Sequence, residues 1–321
     1  MKAAVMHTAG QPPRFAEFPD PIPGEDELLV DVRAASLKRL DKTLASGAHY
    51  ASQRELPFVC GIDGVGVLVD GSRVFFGGAR PPYGTMAERS VAPRAWCFAV
   101  PQGVDDATAA ALPNPALSAW LPLTWRAQLA LGETVLILGA TGVAGKLAVQ
   151  IARHLGAGRV VAAGRNQQIL ESLHDLGADA TIPLDQPDPE LAEAYIRAAE
   201  PKGYDVILDY LWGRPTEVLL GALTRHSLTA EPARICLVQI GDVAGPTIAL
   251  PAATLRSAGV EIYGSGGGSI PRTAIRDAFP QVMALAADGK LQIDTEQVAL
   301  ADIESAWQRQ DLHGRRIVIM P

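Results

Sequence analysis

Cysteine is scarce in this sequence, and the positions of the few cysteines exclude two common kinds of site. Cys60, Cys97 and Cys236 are far apart and form no CxxC pair. This spacing supports neither a disulfide framework nor a cysteine-rich zinc site, so we expect three small buried hydrophobic residues. Histidine is also scarce. None of the six histidines stands in a metal-ligand spacing or a GxSxG context, which argues against metalloenzyme and hydrolase functions.

Excess positive charge and long apolar runs are missing as well. The formal net charge of −7 argues against nucleic acid or an anionic membrane surface as the main partner. No run approaches the roughly 18 apolar residues that a transmembrane helix needs. The opening segment, MKAAVMHTAGQPP, lacks the apolar core of a signal peptide, so the sequence predicts a cytoplasmic protein.

The patterns that are present predict two domains of different character. With 321 residues, 48% of them hydrophobic, the chain can bury the cores of about two domains. Its N-terminal third contains short strand-like runs, such as LLVDVRAAS and SRVFF, separated by Pro and Gly. From Leu117 onward, helical segments alternate with apolar runs such as RVVAAG and ARICLVQIG, which predicts βαβ units and a parallel sheet. The tail from Arg272 contains two further helical stretches and a final strand, GRRIVIM.

A glycine-rich segment, LILGATGVAGKLAVQ, lies between a predicted strand and a predicted helix. Gly139 permits a tight turn, and Gly145 allows the helix to pack closely on the strand. The context of strand, glycine turn, helix and second strand predicts a dinucleotide site, and a merely structural turn is the alternative. The backbone around the middle glycine would bind the pyrophosphate at the helix N-terminus, through residues Thr141, Gly142, Val143 and Ala144.

The end of the second predicted strand indicates which dinucleotide binds. A site for NAD usually places Asp or Glu on the ribose hydroxyls at this point, about 20 residues beyond the glycines. This sequence has Gly164, Arg165 and Asn166 there instead. A guanidinium can bind a 2′-phosphate with two hydrogen bonds, so we predict NADPH, with a solvated surface arginine as the alternative.

Nearly the whole chain carries segments in an order typical of one superfamily. They include MKAAV, PGEDELLVDVRAAS, PFVCGIDGVGVL, YGTMAERSVAP, AAALPNPALSAW and GETVLILGATGVAGKLAVQIAR. In this order they resemble the medium-chain dehydrogenase/reductase superfamily, and within it the zinc-free, zeta-crystallin-like quinone oxidoreductases. The resemblance implies an α/β protein with a β-rich, GroES-like catalytic domain (1–115, completed by 268–321). It also implies a Rossmann domain with a doubly wound parallel sheet (116–267), a cofactor in the cleft, and homodimers joined along an edge strand, here GVEIYGSG.

The resemblance also assigns individual residues. Lys38, the Ile62–Asp63 pair and Asn114 stand at the zinc-ligand positions of zinc-dependent relatives, so no catalytic zinc is expected. The resemblance maps five residues near the nicotinamide: Ser118, Gln239, Ile240, Ser265 and Gly266. Asn114 is also predicted to bind the cofactor.

Some positions depart from the quinone oxidoreductase pattern. Lys38 stands where these relatives usually carry Asn, and Thr43 where they often carry Tyr. His49 and Tyr50 fall at the mouth of the family's pocket, and simple loop residues are the alternative for these two. Asp41 matches the family motif and is predicted, with Lys38, as a catalytic residue. An ordinary helix-surface carboxylate is the alternative for Asp41. Lys38 either neutralises Asp41 and Asp63 or donates a hydrogen bond to the acceptor's carbonyl oxygen as negative charge develops there.

Together these patterns predict an NADPH-dependent, zinc-free oxidoreductase that transfers a hydride to a quinone or another small activated carbonyl or enone acceptor. The proton would come from water or a nearby donor. The alternative is a non-catalytic NADPH-binding protein on the same fold, a sensor or regulator, which the changes at Lys38 and Thr43 keep open.

Overall fold

The computed structural model describes residues 1–47, 52, 55–225 and 234–321. The chain forms two compact units. The first contains Met1–Pro113, Met283–Gly289 and Ile293–Pro321, and the second contains Asn114–Val282 and Lys290–Gln292. The second unit thus extends past the expected boundary at residue 267, because most of the helix Arg272–Ala287 belongs to it.

The strands and helices of the described residues are numbered in chain order. The strands are β1 (Lys2–Met6), β2 (Arg14–Glu17), β3 (Glu27–Leu37), β4 (Phe58–Val59), β5 (Asp63–Val67), β6 (Arg73–Gly77), β7 (Arg89–Pro93), β8 (Cys97–Ala99), β9 (Thr134–Leu138), β10 (Arg159–Gly164), β11 (Ala180–Pro183), β12 (Val206–Asp209), β13 (Ile235–Gln239), β14 (Val260–Gly264), β15 (Thr295–Ala299) and β16 (Arg316–Met320). The helices are α1 (Arg39–Ala45), α2 (Asp106–Ala111), α3 (Pro113–Leu121), α4 (Val143–His154), α5 (Gln167–Ser172), α6 (Asp188–Ala199), α7 (Gly213–Leu223), α8 (Ala252–Ser257), α9 (Arg272–Ala287) and α10 (Ile303–Gln308).

The first unit is built mainly from antiparallel strands. One sheet has the order β2-β1-β4, and a larger one has the order β15-β16-β3-β5-β6-β8, with β7 also paired to β3. The long strand β3 alternates between buried Val30 and Val32 and exposed Asp31 and Arg33, as a half-buried strand should. Its end leads directly into α1, which places Lys38 and Asp41 beside the start of β5.

The second unit contains a parallel sheet in the order β11-β10-β9-β12-β13-β14. Strand β9 is buried along its whole length, which explains its continuous apolar sequence, TVLIL. The strand order reverses between β9 and β12, and ligands of such sheets bind beyond the carboxyl ends of the strands at this switch point. The glycine turn follows β9 at this edge.

Helix α5 is shorter than the sequence pattern indicates. The segment QQILESLHDLG predicts a helix that stops at Gly177, but α5 ends at Ser172. Beyond it the backbone continues in tight turns, with the N–H of Leu176 bonded to the carbonyl oxygen of Leu173 at 3.1 Å. The guanidinium of Arg153 donates to the carbonyl oxygen of Gly177 and so holds the chain back against α4.

The burial of the cysteines and the character of the helices can be compared with what the composition predicts. Cys60 and Cys236 are buried as expected, whereas Cys97 is only half-buried. Within the part of the chain that the structure covers, no helix combines the length and the apolar character that crossing a membrane requires.

Candidate functional site

The glycine turn joins β9 to α4 in a conformation that depends on its glycines. Gly139 has a φ of 91°, in the left-handed region that favours glycine. A Cβ atom on Gly145 would collide with the carbonyl oxygen of Gly139 and with Ala140, so only glycine lets α4 lie this close to the turn. Gly142, by contrast, is exposed, and a Cβ atom there would approach only the Gly139 oxygen, at 3.4 Å.

The N-terminus of α4 is open toward an anion. Its first intrahelical hydrogen bond runs from the N–H of Lys146 to the carbonyl oxygen of Gly142, at 2.9 Å. The preceding N–H groups, of Val143, Ala144 and Gly145, have no intrahelical acceptor, and no side chain caps this helix. With the positive end of the helix dipole, these donors suit a phosphate group.

The residues after β10 lie next to this turn. A Cβ atom on Gly164 would collide with the side chain of Thr141, so the glycine lets the end of β10 approach the turn. The following residue, Arg165, is exposed and makes no hydrogen bond or ion pair with any residue that the structure describes. Asn166 instead caps α5, because its Oδ1 accepts the N–H of Ile169 at 3.1 Å. Arg165 is therefore available to a ligand, whereas the Asn166 amide oxygen is already engaged.

The other predicted cofactor residues lie on α3, at the end of β13 and in the loops after β13 and β14. Gln239 ends β13 and Ile240 follows it, and the N–H of Ser265 donates to the Gln239 carbonyl oxygen at 2.9 Å, which ties the ends of β13 and β14 together. The N–H of Gly266 donates to Ser269 Oγ at 3.0 Å. Asn114 and Ser118 are half-buried in α3, where the Ser118 hydroxyl donates to the carbonyl oxygen of Pro115 at 2.8 Å. The sheet thus brings the glycine turn, Arg165 and both loops to one edge.

A second cluster, in the first unit, surrounds the buried side chain of Lys38. Its ammonium donates to Asp63 Oδ1 at 2.7 Å, to Ser36 Oγ at 2.8 Å and to the Ser36 carbonyl oxygen at 2.9 Å. These contacts engage all three ammonium protons. Asp41 Oδ2 lies farther away, at 3.6 Å.

The carboxylate of Asp41 organises the backbone around this cluster. One oxygen accepts the backbone N–H of Lys38 at 2.8 Å, at the N-cap of α1, and the other accepts the N–H of Ile62 at 3.1 Å. Asp41 is only 3% exposed, so it is not the helix-surface carboxylate that the sequence allowed as an alternative.

Asp63 and Arg316 complete the cluster, which we call the Lys38 cluster (Ser36, Lys38, Asp41, Asp63 and Arg316). Burial raises the pKa of the Asp63 carboxyl, and the neighbouring Lys38 ammonium opposes that shift. Burial lowers the pKa of Arg316, against the pull of Asp41 and Asp63, and its Nη1 donates to the Leu37 carbonyl oxygen at 3.2 Å. Two cations and two carboxylates therefore share one buried region.

Comparison with known proteins identifies the fold. Residues 144–288 match a family model described as zinc-binding dehydrogenase. Over 100% of both chains, the sequence is 27% identical to the probable NADPH-dependent quinone reductase tdiC of Emericella nidulans. The solved quinone oxidoreductase of Thermus thermophilus superposes with a TM-score of 0.81 at 28% identity, covering 100% of both chains. Over its whole length the chain is thus similar to quinone oxidoreductases of the medium-chain dehydrogenase/reductase superfamily.

A third relative within the superfamily matches part of the chain. The chloroplastic NADPH-dependent alkenal/one oxidoreductase of Arabidopsis thaliana is 29% identical over 58% of this chain and 50% of its own length. The resemblance inferred from the sequence is thus confirmed at the level of the superfamily, and the α/β fold, with a parallel sheet in one unit and mainly antiparallel sheets in the other, is confirmed with it.

The residues at the superfamily's zinc-ligand positions do not fit a zinc ion. The Lys38 ammonium is held by Ser36 and Asp63, Ile62 has no donor atom, and Asn114 offers only an amide. Across residues 1–47, 52, 55–225 and 234–321, no group of three or more His, Cys, Asp or Glu side chains is arranged to hold a metal ion.

The geometry of the Lys38 cluster favours one of the two roles that the sequence left open for Lys38. Because all three ammonium protons are engaged, the lysine balances buried carboxylates in this structure. Donation to a substrate oxygen would require Lys38 to give up one of these contacts, so its catalytic role stays a prediction. The same holds for Asp41, whose two oxygens both accept backbone N–H groups.

A cavity of about 250 Å³ adjoins the cluster within the first unit. Its wall is mostly apolar, with Leu44, Phe58 and Ile62, and it also includes Asp41 and Tyr83. Thr43 is tied to its own helix, because its hydroxyl donates to the Arg39 carbonyl oxygen at 3.0 Å. His49 and Tyr50, predicted at the pocket mouth, lie outside the described residues.

Sequence reasoning missed three residues that organise these sites. Ser36 precedes Lys38 by two residues on the same segment, whereas Arg316 reaches the Lys38 cluster through strand pairing between β3 and β16, which no local pattern reveals. Asp209 ends β12 and is fully buried. The sequence did contain a signal for Asp209. A carboxylate directly after the apolar run VIL, at the end of a buried strand, is unusual and indicates a specific role.

Proposed function

We propose that this chain is an NADPH-dependent oxidoreductase that reduces a quinone or another small activated carbonyl or enone, without a zinc ion. The observation that carries the proposal is the open glycine turn with Arg165 beside it. The uncapped N–H groups of α4 suit a pyrophosphate, and Arg165 is the exposed cation that a 2′-phosphate requires. The names of the relatives from Emericella and Arabidopsis, an NADPH-dependent quinone reductase and an NADPH-dependent alkenal/one oxidoreductase, support it.

The residues around the glycine turn would hold the cofactor. The backbone of Gly142, Val143 and Ala144 would bind the pyrophosphate, and Arg165 would bind the 2′-phosphate. Gln239, the last residue of β13, and Ser265, which follows β14, would lie toward the nicotinamide. When bound, the cofactor supplies the hydride, while the protein fixes its orientation.

We propose that the acceptor is held against the apolar cavity of the first unit. A cavity of about 250 Å³ suits a small acceptor such as a single quinone ring, being near the lower end of ligand pockets, at roughly 300 Å³. We leave zinc out because the side chains of Lys38, Ile62 and Asn114 are unsuitable as its ligands, so polarisation of the acceptor falls to hydrogen-bond donors.

We further propose a homodimer joined along β14. This strand is the last in its sheet, so one of its edges offers free backbone donors and acceptors to a second copy. A cytoplasmic location also stays a prediction.

Steady-state oxidation of NADPH tests the function. We expect turnover with 1,4-benzoquinone or a short-chain enone, a preference for NADPH over NADH, and well under one zinc per chain by elemental analysis of tag-free protein. Tight NADPH binding without turnover of any acceptor would favour the non-catalytic alternative. Failure to bind NADPH would contradict the whole proposal. Light scattering after size exclusion tests the dimer.

A further inference from the structure

The turn between β12 and α7 contains a strained tryptophan. Trp212 has a φ of 56° and a ψ of −162° and stands at the N-cap of α7. A bulky residue rarely adopts a positive φ, and such strain persists only where the surroundings impose it. Strained residues cluster at ligand sites, so this turn, at the carboxyl edge of the parallel sheet, is a candidate functional element.

The side chain of Asp209 imposes this conformation. Its Oδ1 accepts the N–H of Leu211 at 2.8 Å and the N–H of Trp212 at 2.9 Å. Its Oδ2 accepts the Thr216 hydroxyl at 2.6 Å. Asp209 is 0% exposed and forms no ion pair with any residue that the structure describes, so these three neutral donors hold it. The carboxylate therefore serves geometry rather than charge pairing.

The turn between β12 and α7 contacts the glycine turn that follows β9. A Cβ atom placed on Gly139 would lie 3.1 Å from the Leu211 side chain and 3.3 Å from Tyr210 Cβ. Leu211 and Tyr210 thus form a wall against the residue that starts the phosphate-binding turn. A shift of this wall would change the space in which Gly139 keeps its positive φ.

The same turn is bonded to the other predicted cofactor elements. The carbonyl oxygen of Asp209 accepts the N–H of Ile240 at 2.7 Å and that of Gly241 at 3.1 Å. The Tyr210 hydroxyl donates to the Ser118 carbonyl oxygen at 3.1 Å. The segment 209–213 is thus a shared support for the glycine turn, the loop after β13 and helix α3.

We propose that the segment 209–213 is a positioning element of the dinucleotide site and that Asp209 is the positioning residue that fixes it. The inference rests on the proposed function, because it assumes that NADPH binds at this edge. With the carboxylate in place, Trp212 is locked at a positive φ and the wall is ordered before the cofactor arrives. Without it, Trp212 relaxes toward a negative φ, and binding must restore the order of the turn.

Asp209→Ala removes the carboxylate that accepts the N–H groups of Leu211 and Trp212 and the hydroxyl of Thr216. We expect the Kd for NADPH, measured by nucleotide fluorescence, to rise by roughly 10–100-fold, the loss expected when one hydrogen bond to a charged group is removed. We expect kcat with saturating NADPH to fall much less. Asp209→Asn keeps the size of the side chain and serves if the alanine variant does not fold. It should weaken binding in the same direction, by about 3-fold or more.

A rescue experiment separates positioning from a merely structural role. Glycine adopts the backbone conformation of Trp212 without help, whereas alanine does not. We therefore expect Trp212→Gly, added to the Asp209 variant, to recover most of the lost NADPH affinity. Trp212→Ala also deletes the indole but keeps the strain, so it is the matched control and should recover nothing.

The outcomes are distinct. An Asp209 variant that binds NADPH like the wild type would overturn the inference, and so would equal recovery by Trp212→Gly and Trp212→Ala. A wild-type protein that does not bind NADPH would instead contradict the proposed function.

Discussion

The two units bury their acidic side chains in different ways. In the first unit, Asp41 and Asp63 lie beside the cations of Lys38 and Arg316. In the second, Asp209 is buried among neutral donors, the N–H groups of its own turn and the hydroxyl of Thr216. The first arrangement balances charge across strands that are distant in sequence. The second uses one carboxylate to shape four consecutive residues.

The difference predicts how each region responds to substitution. Removing one partner of a buried ion pair leaves the other charge uncompensated, which is strongly destabilising. Removing the Asp209 carboxylate leaves three neutral donors without an acceptor, at a cost of about 1–3 kcal/mol for each donor that stays buried and unsatisfied, and it also frees the turn on which ligand binding depends. The Lys38 cluster should therefore control the stability of its unit, and Asp209 should control the cofactor site.

The largest effect is expected for Lys38→Met. The substitution keeps the apolar stem but leaves Asp63 without its closest cation, so we expect a loss of about 3–5 kcal/mol in the free energy of unfolding. Urea unfolding of the whole chain, compared between the variant and the wild type, measures this loss. Lys42→Met, on the same helix, is the matched control and should change stability by under about 1 kcal/mol, because among the described residues its ammonium makes only a weak contact, at 3.4 Å, to the Arg309 carbonyl oxygen.

Turnover of the Lys38→Met variant decides between the two roles of this lysine. A variant that unfolds early but reduces its acceptor at the normal rate supports charge balancing. A fold of normal stability with kcat reduced by roughly 10²–10³ would support the hydrogen-bond donor predicted from the sequence.

The second effect is the recovery of part of the free energy of unfolding that Lys38→Met loses. Asp63→Asn in the Lys38→Met background removes the uncompensated charge, so the double variant should regain about 2 kcal/mol relative to Lys38→Met. The double-mutant cycle is measured by the same urea unfolding. Additive losses would mean that Lys38 and Asp63 do not act as a pair.

Local patterns explain why part of this picture could be predicted from the sequence. The glycine turn and the strand–helix alternation are encoded within short windows, so the parallel sheet and the edge that carries Arg165 follow from the sequence. Pairing across the fold is not encoded in this way. Arg316 joins the Lys38 cluster only because β3 pairs with β16, and the role of Asp209 depends on the φ of Trp212. Helix α5 ends early where Arg153 holds the following turn, another contact between separate elements.

The third effect tests Arg165, the exposed arginine beside the glycine turn of the second unit. Losing a charge-assisted hydrogen bond removes about 1.5–3 kcal/mol, so Arg165→Ala should weaken NADPH binding by roughly 10–100-fold. The affinity for NADH should hardly change, since it has no 2′-phosphate. Fluorescence titration with both nucleotides measures this, with Arg197→Ala, an exposed arginine on α6, as the control. Equal losses for NADPH and NADH would remove the 2′-phosphate role.

The smallest effect is a pH dependence that separates buried from exposed acids. Burial raises the pKa of Asp209. Its folded state thus binds a proton more tightly than its unfolded state, and the resulting stabilisation at low pH is lost as the pH rises through the folded pKa. On the surface, the Arg309 guanidinium lowers the pKa of Asp311 to about 2. That contribution is present above the ordinary pKa of aspartate and is lost as the pH falls.

Two Asp→Asn variants test these opposite signs in one protein. Compared with Asp209→Asn, the wild type should gain thermal stability as the pH falls from neutral toward about 4, because only the wild type takes up the proton. Compared with Asp311→Asn, it should lose its advantage below about pH 4, as the surface carboxylate is protonated. Melting temperatures of the three proteins across a pH series measure both slopes. Slopes of the same sign would mean that burial among neutral donors and pairing with an exposed arginine do not perturb these two carboxylates in opposite directions.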